Sequence, residues 1–298
     1  MNIVKYRKVF YSISAFLVIA SIGAVIYWGL NFGVDFKGGS ILEVSYQNAR
    51  PEMSVLQDVI SNQKLGETSI RPTGDKGYII RTKALSEPER ASFVSALGVS
   101  EGFQIKRFDS VGPILGKELQ AKAGLSIVIV ILAIVLFITF AFRKVSEPVS
   151  SFKYGLVAIV ALVHDVIVPT GVFAILGHYQ GIEVDALFVT ALLVVLGFSV
   201  HDTIVVFDRV RENLRLSKGH KPFEQVVGES INQTFVRSIN TSLTVLLSLV
   251  ILYFFGPEAT HNFSLALFVG ITAGTYSSIF LGSPLLVTLQ KLQDRKKK

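Results

Sequence analysis

Five ionisable side chains stand inside, or at the edge of, stretches that are otherwise apolar. The run Leu192–Asn213, LLVVLGFSVHDTIVVFDRVREN, carries His201 and Asp202 in its apolar part. It ends in Asp208, Arg209, Arg211 and Glu212. An ionised carboxylate at mid-membrane depth costs about 2.5–3.5 kcal/mol even on insertion scales, so a chain that keeps one turns it toward a partner or a water path. Ion or proton handling is therefore the first chemistry to expect. Arg237 opens the next apolar run, at a depth like that of Asp202. An Asp202–Arg237 pair that breaks on protonation would be a switch; the alternative is a static pair that fixes helix packing. Asp165 lies near the middle of another run, beside His164 and one turn before Pro169, where the missing N–H lets a helix bend. A His–Asp pair across spans 3 and 4 could relay protons, since histidine titrates near physiological pH. The plainer alternatives are a neutral Asp165 bonded to a neighbouring helix, and His164 and His201 as packing residues. The two histidines lack the spacing of a metal site, and the chain has no Cys. Thr203, Ser238, Asn240, Thr241 and Ser242 lie close by. Such hydroxyls and amides either join helices or line a wet path beside Asp202.

The elements that position these groups follow from composition. Half of the 298 residues are hydrophobic and 17% are charged; the mean hydropathy is +0.53. Apolar runs of about 20 residues read as membrane spans. Six are expected: Val9–Leu30, Gly124–Phe142, Tyr154–Leu176, Val184–Phe207, Ser238–Phe255 and Phe263–Leu289. The first follows Lys5, Arg7 and Lys8 as a signal peptide would. Its core is longer, however, and no A-x-A site follows, so it reads as a retained anchor. Lys and Arg flank spans at the N-terminus, between spans 2 and 3, between spans 4 and 5 and at the C-terminus. The short loops Gly177–Glu183 and Gly256–Asn262 have none. The positive-inside rule then puts both termini in the cytoplasm and the segment between spans 1 and 2 outside. Phe223, Val226, Val227, Ile231 and Phe235 form a 3–4-spaced stripe, expected to be an amphipathic helix on the inner membrane surface, with Arg and Lys nearby for anionic lipid or a partner. Gly270 and Gly274 mark a close-packed face of span 6.

The segment between spans 1 and 2 carries 12 Lys+Arg and 11 Asp+Glu, so the net charge of +7 belongs to membrane edges and gives no reason to expect nucleic acid. Its pattern reads β (Ser40–Tyr46), α (Pro51–Gln63), β (Thr68–Arg71), β (Tyr78–Thr82), α (Ser86–Leu97), β (Phe103–Phe108). This is the ferredoxin-like βαββαβ order, with Ser86 and Glu89 spaced as a capping box. The expected division is 1–31 for the N-terminal segment and first span, 32–123 for an external α+β domain with its linkers, and 124–298 for the remaining five spans and the basic tail. Gly33, Gly38 and Gly39 in the first linker, and Gly112 and Gly116 in the second, fit either tight turns or hinges.

Five motifs in collinear order carry a resemblance: GVDFKGG after span 1, VGPILGKEL before span 2, HDTIVVFDRVREN closing span 4, QTFVRSINTSLT opening span 5 and AGTYSSIFLGSPLL in span 6. They resemble the SecF family of protein-export membrane proteins, grouped with SecD among relatives of the RND (resistance-nodulation-division) transporters. The resemblance implies a bacterial plasma-membrane protein, a SecD partner, the SecYEG channel as client complex, unfolded exported polypeptide as cargo and use of the proton-motive force. It also strengthens the proton reading of Asp202 and Arg237. The family's span-4 motif is commonly Tyr-Ser-Ile-Asn-Asp-Thr. Here it is Phe198-Ser199-Val200-His201-Asp202-Thr203, which sets an extra titratable group beside the carboxylate.

Two other classes share the intramembrane charges: a subunit of an RND-type small-molecule exporter and a non-conducting membrane scaffold. An external domain of about 80 residues is small for a drug-binding porter. An enzyme is the weakest reading, because no nucleophile–base set, metal spacing or phosphate loop is present, and no cofactor is expected.

Overall fold

A computed structural model describes residues 3–47, 50–63, 65, 68–97, 103–143, 151–217 and 220–296. Lys144, Lys218, Lys297 and Lys298, part of the basic flanks, lie outside the described residues. The chain divides into two compact units, a helical one of residues 1–31 and 125–298 and an α/β one of residues 32–124.

Among the described residues, six helical stretches are long and apolar enough to cross a membrane. They begin with α1 (Arg7–Trp28). In chain order, the α/β unit then contributes α2 (Val34–Lys37), β1 (Gly39–Tyr46), α3 (Met53–Asn62), β2 (Ser69–Thr73), β3 (Gly77–Thr82), α4 (Glu87–Leu97) and β4 (Phe103–Val111). The other stretches are α5 (Pro113–Ala141), α6 (Ser151–Gln180), α7 (Ala186–Ser217), α8 (Phe223–Phe255) and a sixth made of α9 (His261–Tyr276), a π-helical turn (Ser277–Gly282) and α10 (Ser283–Lys296). The spans expected from sequence all appear. Each helix runs past its expected span at one end or both, because polar turns there keep helical hydrogen bonding, while α1 and α5 stop one or two residues short at their C-terminal ends and α7 starts two residues late.

The spans divide by burial. In the most apolar stretch of each, 50%, 44% and 61% of residues are buried for the third, fourth and sixth spans. The first, second and fifth reach 17%, 6% and 17%. The former three therefore form the inside of the bundle. The latter three expose Phe16, Ile26, Leu136, Phe140, Leu247 and Phe254, a surface suited to hydrocarbon. Close approach is purchased with small residues: a Cβ on Gly270 would lie 2.4 Å from Val195 Cγ2, and one on Gly171 would lie 2.2 Å from Ser21 Cβ. The stripe Phe223, Val226, Val227 and Ile231 is buried with Ile3, Val4, Phe207 and Val210. It opens α8 and runs on into the fifth span without a break. The expected surface helix is thus the N-terminal end of a span, and its apolar face is covered by protein.

The α/β unit has one antiparallel sheet of order β2-β3-β1-β4. The β1–α3–β2 crossover therefore skips a position that β3 fills, the split βαβ arrangement. Leu42, Val44, Leu56, Ile60, Tyr78, Ile80, Phe93 and Leu97 form its core. Strand alternation in β1 and β3 turns one face of the sheet to α3 and α4. The expected helix at Pro51 starts two residues later, with Glu52 in extended geometry before it.

Glu89 closes half of the foreseen box. Its Oε2 accepts the Ser86 N–H (2.9 Å) and the Ser86 hydroxyl (2.8 Å), while Lys83 Nζ donates to Oε1 (2.8 Å). The Lys83 bond, then those from Ser86, hold the Glu89 carboxyl down at about 2 from an ordinary 4.5. A depressed carboxyl contributes its stability above the unfolded value and loses it as pH falls through the folded one.

The two glycine linkers are packed together. Gly38 has φ +79°, and a Cβ there would meet Pro113 Cα at 2.7 Å. A Cβ on Gly116 would sit 2.9 Å from both Gly38 N and Phe36 O, whereas one on Gly112 meets nothing within 4 Å.

Two outcomes follow for thermal melts of the full chain in lipid nanodiscs, read through the α/β unit. Gly38→Ala lowers the midpoint of that unit, since the left-handed backbone alone costs about 1–2 kcal/mol and the clash adds to it, while Gly112→Ala leaves it near wild type. Glu89→Gln lowers the midpoint near neutral pH and flattens the loss of stability between about pH 4.5 and about pH 2. An unchanged acid profile in Glu89→Gln would mean that other carboxylates set it.

Candidate functional site

The helical period puts residues i, i+3 and i+4 on one face. On α7 this groups Ser199, Asp202 and Thr203, all buried. On α8 a four-residue repeat, Ser230, Thr234, Ser238 and Ser242, is buried along one side. These two faces meet. Ser238 Oγ donates to Asp202 Oδ1 at 2.6 Å. Asp202 itself is 6% exposed, and its Oδ2 is buried with no hydrogen-bond partner among the described residues.

Arg237 is the chain neighbour of Ser238 but lies about 100° round the helix from it. It is exposed. With Phe137, Phe142, Ile204, Asp208 and Arg211 it lines an open recess of about 330 Å³. The expected direct Asp202–Arg237 ion pair is absent among the described residues. The inward position on α8 belongs to the hydroxyl, and the guanidinium lies in the recess beside Ile204 and Asp208 of α7. His201 is also exposed, on the side of α7 away from the buried face. At the end of α7, Arg209 bonds Glu212 at 2.5 Å and Arg211 approaches Asp208 at 3.7 Å, a salt-bridged, solvated helix end.

A second buried carboxylate centres on α6. Asp165 is fully buried and His164 is 2% exposed. His164 Nδ1 lies 2.9 Å from Asp165 Oδ1. Asp165 Oδ2 accepts from Ser199 Oγ of α7 and, at 2.9 Å, from Ser277 Oγ of the sixth span. His164 Nε2 is buried without a partner among the described residues, and its ring stacks over Tyr276 (6.2 Å, 27°). The foreseen pairing of Asp165 with a histidine across spans 3 and 4 is met instead by a histidine on its own helix and a serine on the fourth.

The sixth span connects the two centres. Thr275 Oγ1 bonds Ser242 Oγ (2.6 Å), whose hydroxyl also reaches the Ser238 carbonyl (3.0 Å). Ser278 Oγ bonds Thr203 Oγ1 (2.8 Å) and the Ser199 carbonyl (3.2 Å). Gly274 lets this segment reach α7: a Cβ there would meet Ser199 Cβ at 3.0 Å and Asp165 Oδ2 at 3.6 Å. The π-helical turn begins at Ser277. Such turns widen the helix locally and often sit at functional sites.

Of the polar residues singled out by sequence, Thr203, Ser238 and Ser242 join this network. Asn240 and Thr241 are exposed, and Thr241 Oγ1 bonds the Arg237 carbonyl of its own helix (2.9 Å). Ser199, Thr275, Ser277 and Ser278 were not foreseen as site residues. For the last three the signal was the Ser and Thr of AGTYSSIFLGSP in an apolar span, read only as part of a motif; for Ser199 it was the position three residues before Asp202, on the same helical face. Among the described residues, no group of three His, Asp or Glu is placed to hold a metal ion.

The chain as a whole matches known proteins. Residues 94–292 match the family model of the protein export membrane protein SecD/SecF C-terminal region, and residues 29–49 match that of the SecD/SecF GG motif. The protein translocase subunit SecF of Thermobaculum terrenum is 44% identical, over 97% of this chain and 93% of its own length. That of Pseudomonas aeruginosa is 32% identical, over 97% and 91%. The crystal structure of SecDF, a translocon-associated membrane protein from Thermus thermophilus, superposes with a TM-score of 0.81 at 31% identity. It covers 98% of this chain, which spans 38% of the length of that SecDF chain. With six apolar helices, two matching family models and full-length relatives, this multi-pass bacterial membrane protein belongs to the SecD/SecF family of protein-export membrane proteins.

Proposed function

We propose that the chain is an accessory subunit of the Sec protein-export machinery. It works with a SecD partner beside the SecYEG channel and uses the proton-motive force to draw exported polypeptide outward. The observation that carries this reading is Asp202: a carboxyl held inside the membrane-spanning bundle by one serine hydroxyl, with no hydrogen-bond partner for its second oxygen among the described residues. A carboxylate in that setting is poorly solvated, and taking up a proton removes the charge that makes its burial costly. A group with no fixed ion partner is free to change protonation without tearing a salt bridge. Arg237, near but unbonded, offers the carboxylate a charge to approach when the helices shift.

The partner assignment rests on likeness. The matched structure is a SecDF protein described as translocon-associated, in which the part like this chain is joined to a longer remainder. Orientation rests on charge: basic residues before the first span, at the α7 end and after the last span support a cytoplasmic side for both termini and the α7–α8 connection, and an outer side for the α/β unit. The paired glycine linkers would then form the joint through which proton-driven rearrangement of the spans moves that unit, with Gly33 and Gly39 on one side and Gly112 and Gly116 on the other.

Two outcomes test the proposal. In vesicles that contain the whole machinery, Asp202→Asn abolishes the increment in export that a proton gradient gives, and Arg237→Met does the same, while both variants still co-purify with the SecD partner. Ser238→Ala weakens the increment in part, because it removes one neutral hydrogen bond and leaves the carboxyl. Loss of assembly in Asp202→Asn would point to a static packing role, and a full increment would remove Asp202 from the mechanism. For orientation, an impermeant thiol reagent added outside labels an introduced cysteine in Asp75→Cys and fails to label Ser217→Cys. The reverse pattern would overturn the topology.

A further inference from the structure

We infer that His164 and Asp165 form a second proton-exchanging site, coupled to Asp202 through the π-helical turn of the sixth span. This rests on the proton reading of Asp202 and extends it to a pair to which that reading gives no part.

Asp165 accepts from Ser199 and Ser277 on one oxygen and faces His164 Nδ1 on the other. If the carboxylate is ionised and Nδ1 carries the imidazole proton, His164 Nε2 keeps a free lone pair. That atom is buried and has no partner among the described residues. A buried polar atom without a partner costs free energy and calls for an explanation. A lone pair waiting for a proton supplies one. Proton uptake at Nε2 converts imidazole to imidazolium and takes the pair from a net charge of −1 to 0, with Nδ1–H still facing the carboxylate. Release returns the proton and the negative charge.

The surroundings isolate this charge. From α9, Tyr276 faces the imidazole, and its hydroxyl donates to the Phe10 carbonyl (2.9 Å). From α7, Ser199 faces the carboxylate, with no charged side chain between it and Asp202. The α1 helix has no Asp, Glu, Lys, Arg or His from Val9 to Trp28, and the charged residues of α10 begin at Lys291. No fixed cation among these groups neutralises Asp165 in place of a proton.

Coupling follows from the bonds of a single segment. Within residues 274–278, Ser277 is held by Asp165, Ser278 by Thr203 and the Ser199 carbonyl, and Thr275 by Ser242 in the chain that leads through Ser238 to Asp202. A change of charge at Asp165 alters the hold on Ser277, the first residue of the π-helical turn. The same turn sets where Thr275 sits against α8. Two sites that bias one element exchange coupling free energy, and the effect is reciprocal.

The test is a pH titration of the purified full-length chain in lipid nanodiscs, followed by infrared difference spectroscopy of carboxyl and imidazole bands. Asp202→Asn is expected to remove one carboxyl signal and to leave an imidazole transition that His164→Gln abolishes. Ser277→Ala, which keeps every charged group, is expected to shift the Asp202 midpoint by an amount equal to about a 5- to 10-fold change in proton affinity, within the usual range of coupling between sites. If Asp202→Asn shows no remaining His164-dependent transition, the second site is overturned. If that transition is present but Ser277→Ala leaves the Asp202 midpoint in place, the coupling is overturned. Loss of the Asp202 signal in the wild type would instead strike the proposal for Asp202, and leave the His164 transition to stand or fall by itself.

Discussion

A carboxylate inside hydrocarbon is the constraint around which the helical unit is arranged. Asp202 cannot be left to lipid at a cost of about 2.5–3.5 kcal/mol, so the helix that carries it must be central. The fourth span is indeed among the buried three. Its inward face presents Ser199, Asp202 and Thr203 to hydroxyls of the fifth and sixth spans. The first, second and fifth spans, with little burial, shield that centre and give the molecule its apolar exterior. The hydroxyl lattice is economical in one sense: a Ser or Thr can bond its own helix at i−4 while it meets a hydroxyl of the next helix, as Thr203 and Thr275 do. Such donors can change partner without leaving an orphaned group.

Close helix packing makes the lattice possible. Gly270 and Gly274 bring the sixth span onto Val195 and Ser199. At that approach a hydroxyl of one helix reaches a carbonyl or carboxylate of the next without water. The π-helical turn follows immediately, and it sends Ser277 toward Asp165 and Ser278 toward Thr203. Regular α-helical spacing sets consecutive residues about 100° apart. A locally widened turn is a place where such directions can be reset by small changes.

The sequence disclosed most of the architecture, for definite reasons. Apolar runs of membrane length are hard to misread, and the α/β order was legible from strand alternation and the Ser86–Glu89 spacing. The stripe from Phe223 to Ile231 was legible as amphipathic. Whether protein or lipid covers an apolar face is a tertiary fact, and here Ile3, Val4, Phe207 and Val210 cover it. At the site, the sequence singled out Asp202, Asp165, His164, Thr203, Ser238 and Ser242. The Asp202–Arg237 pair was inferred from depth alone. Depth does not fix which side of α8 faces inward, and the repeat Ser230, Thr234, Ser238, Ser242 carried that information. Ser277 and Ser278 escaped because a π-helical turn breaks the period by which faces are read.

The central claim is that Asp202 exchanges protons across the bundle. Proton flux into liposomes that hold the chain together with its SecD partner, read with an internal pH dye under an imposed gradient, tests it most directly. The account predicts flux in the wild type and background leakage in Asp202→Asn at equal protein density. Equal flux in the two would contradict it.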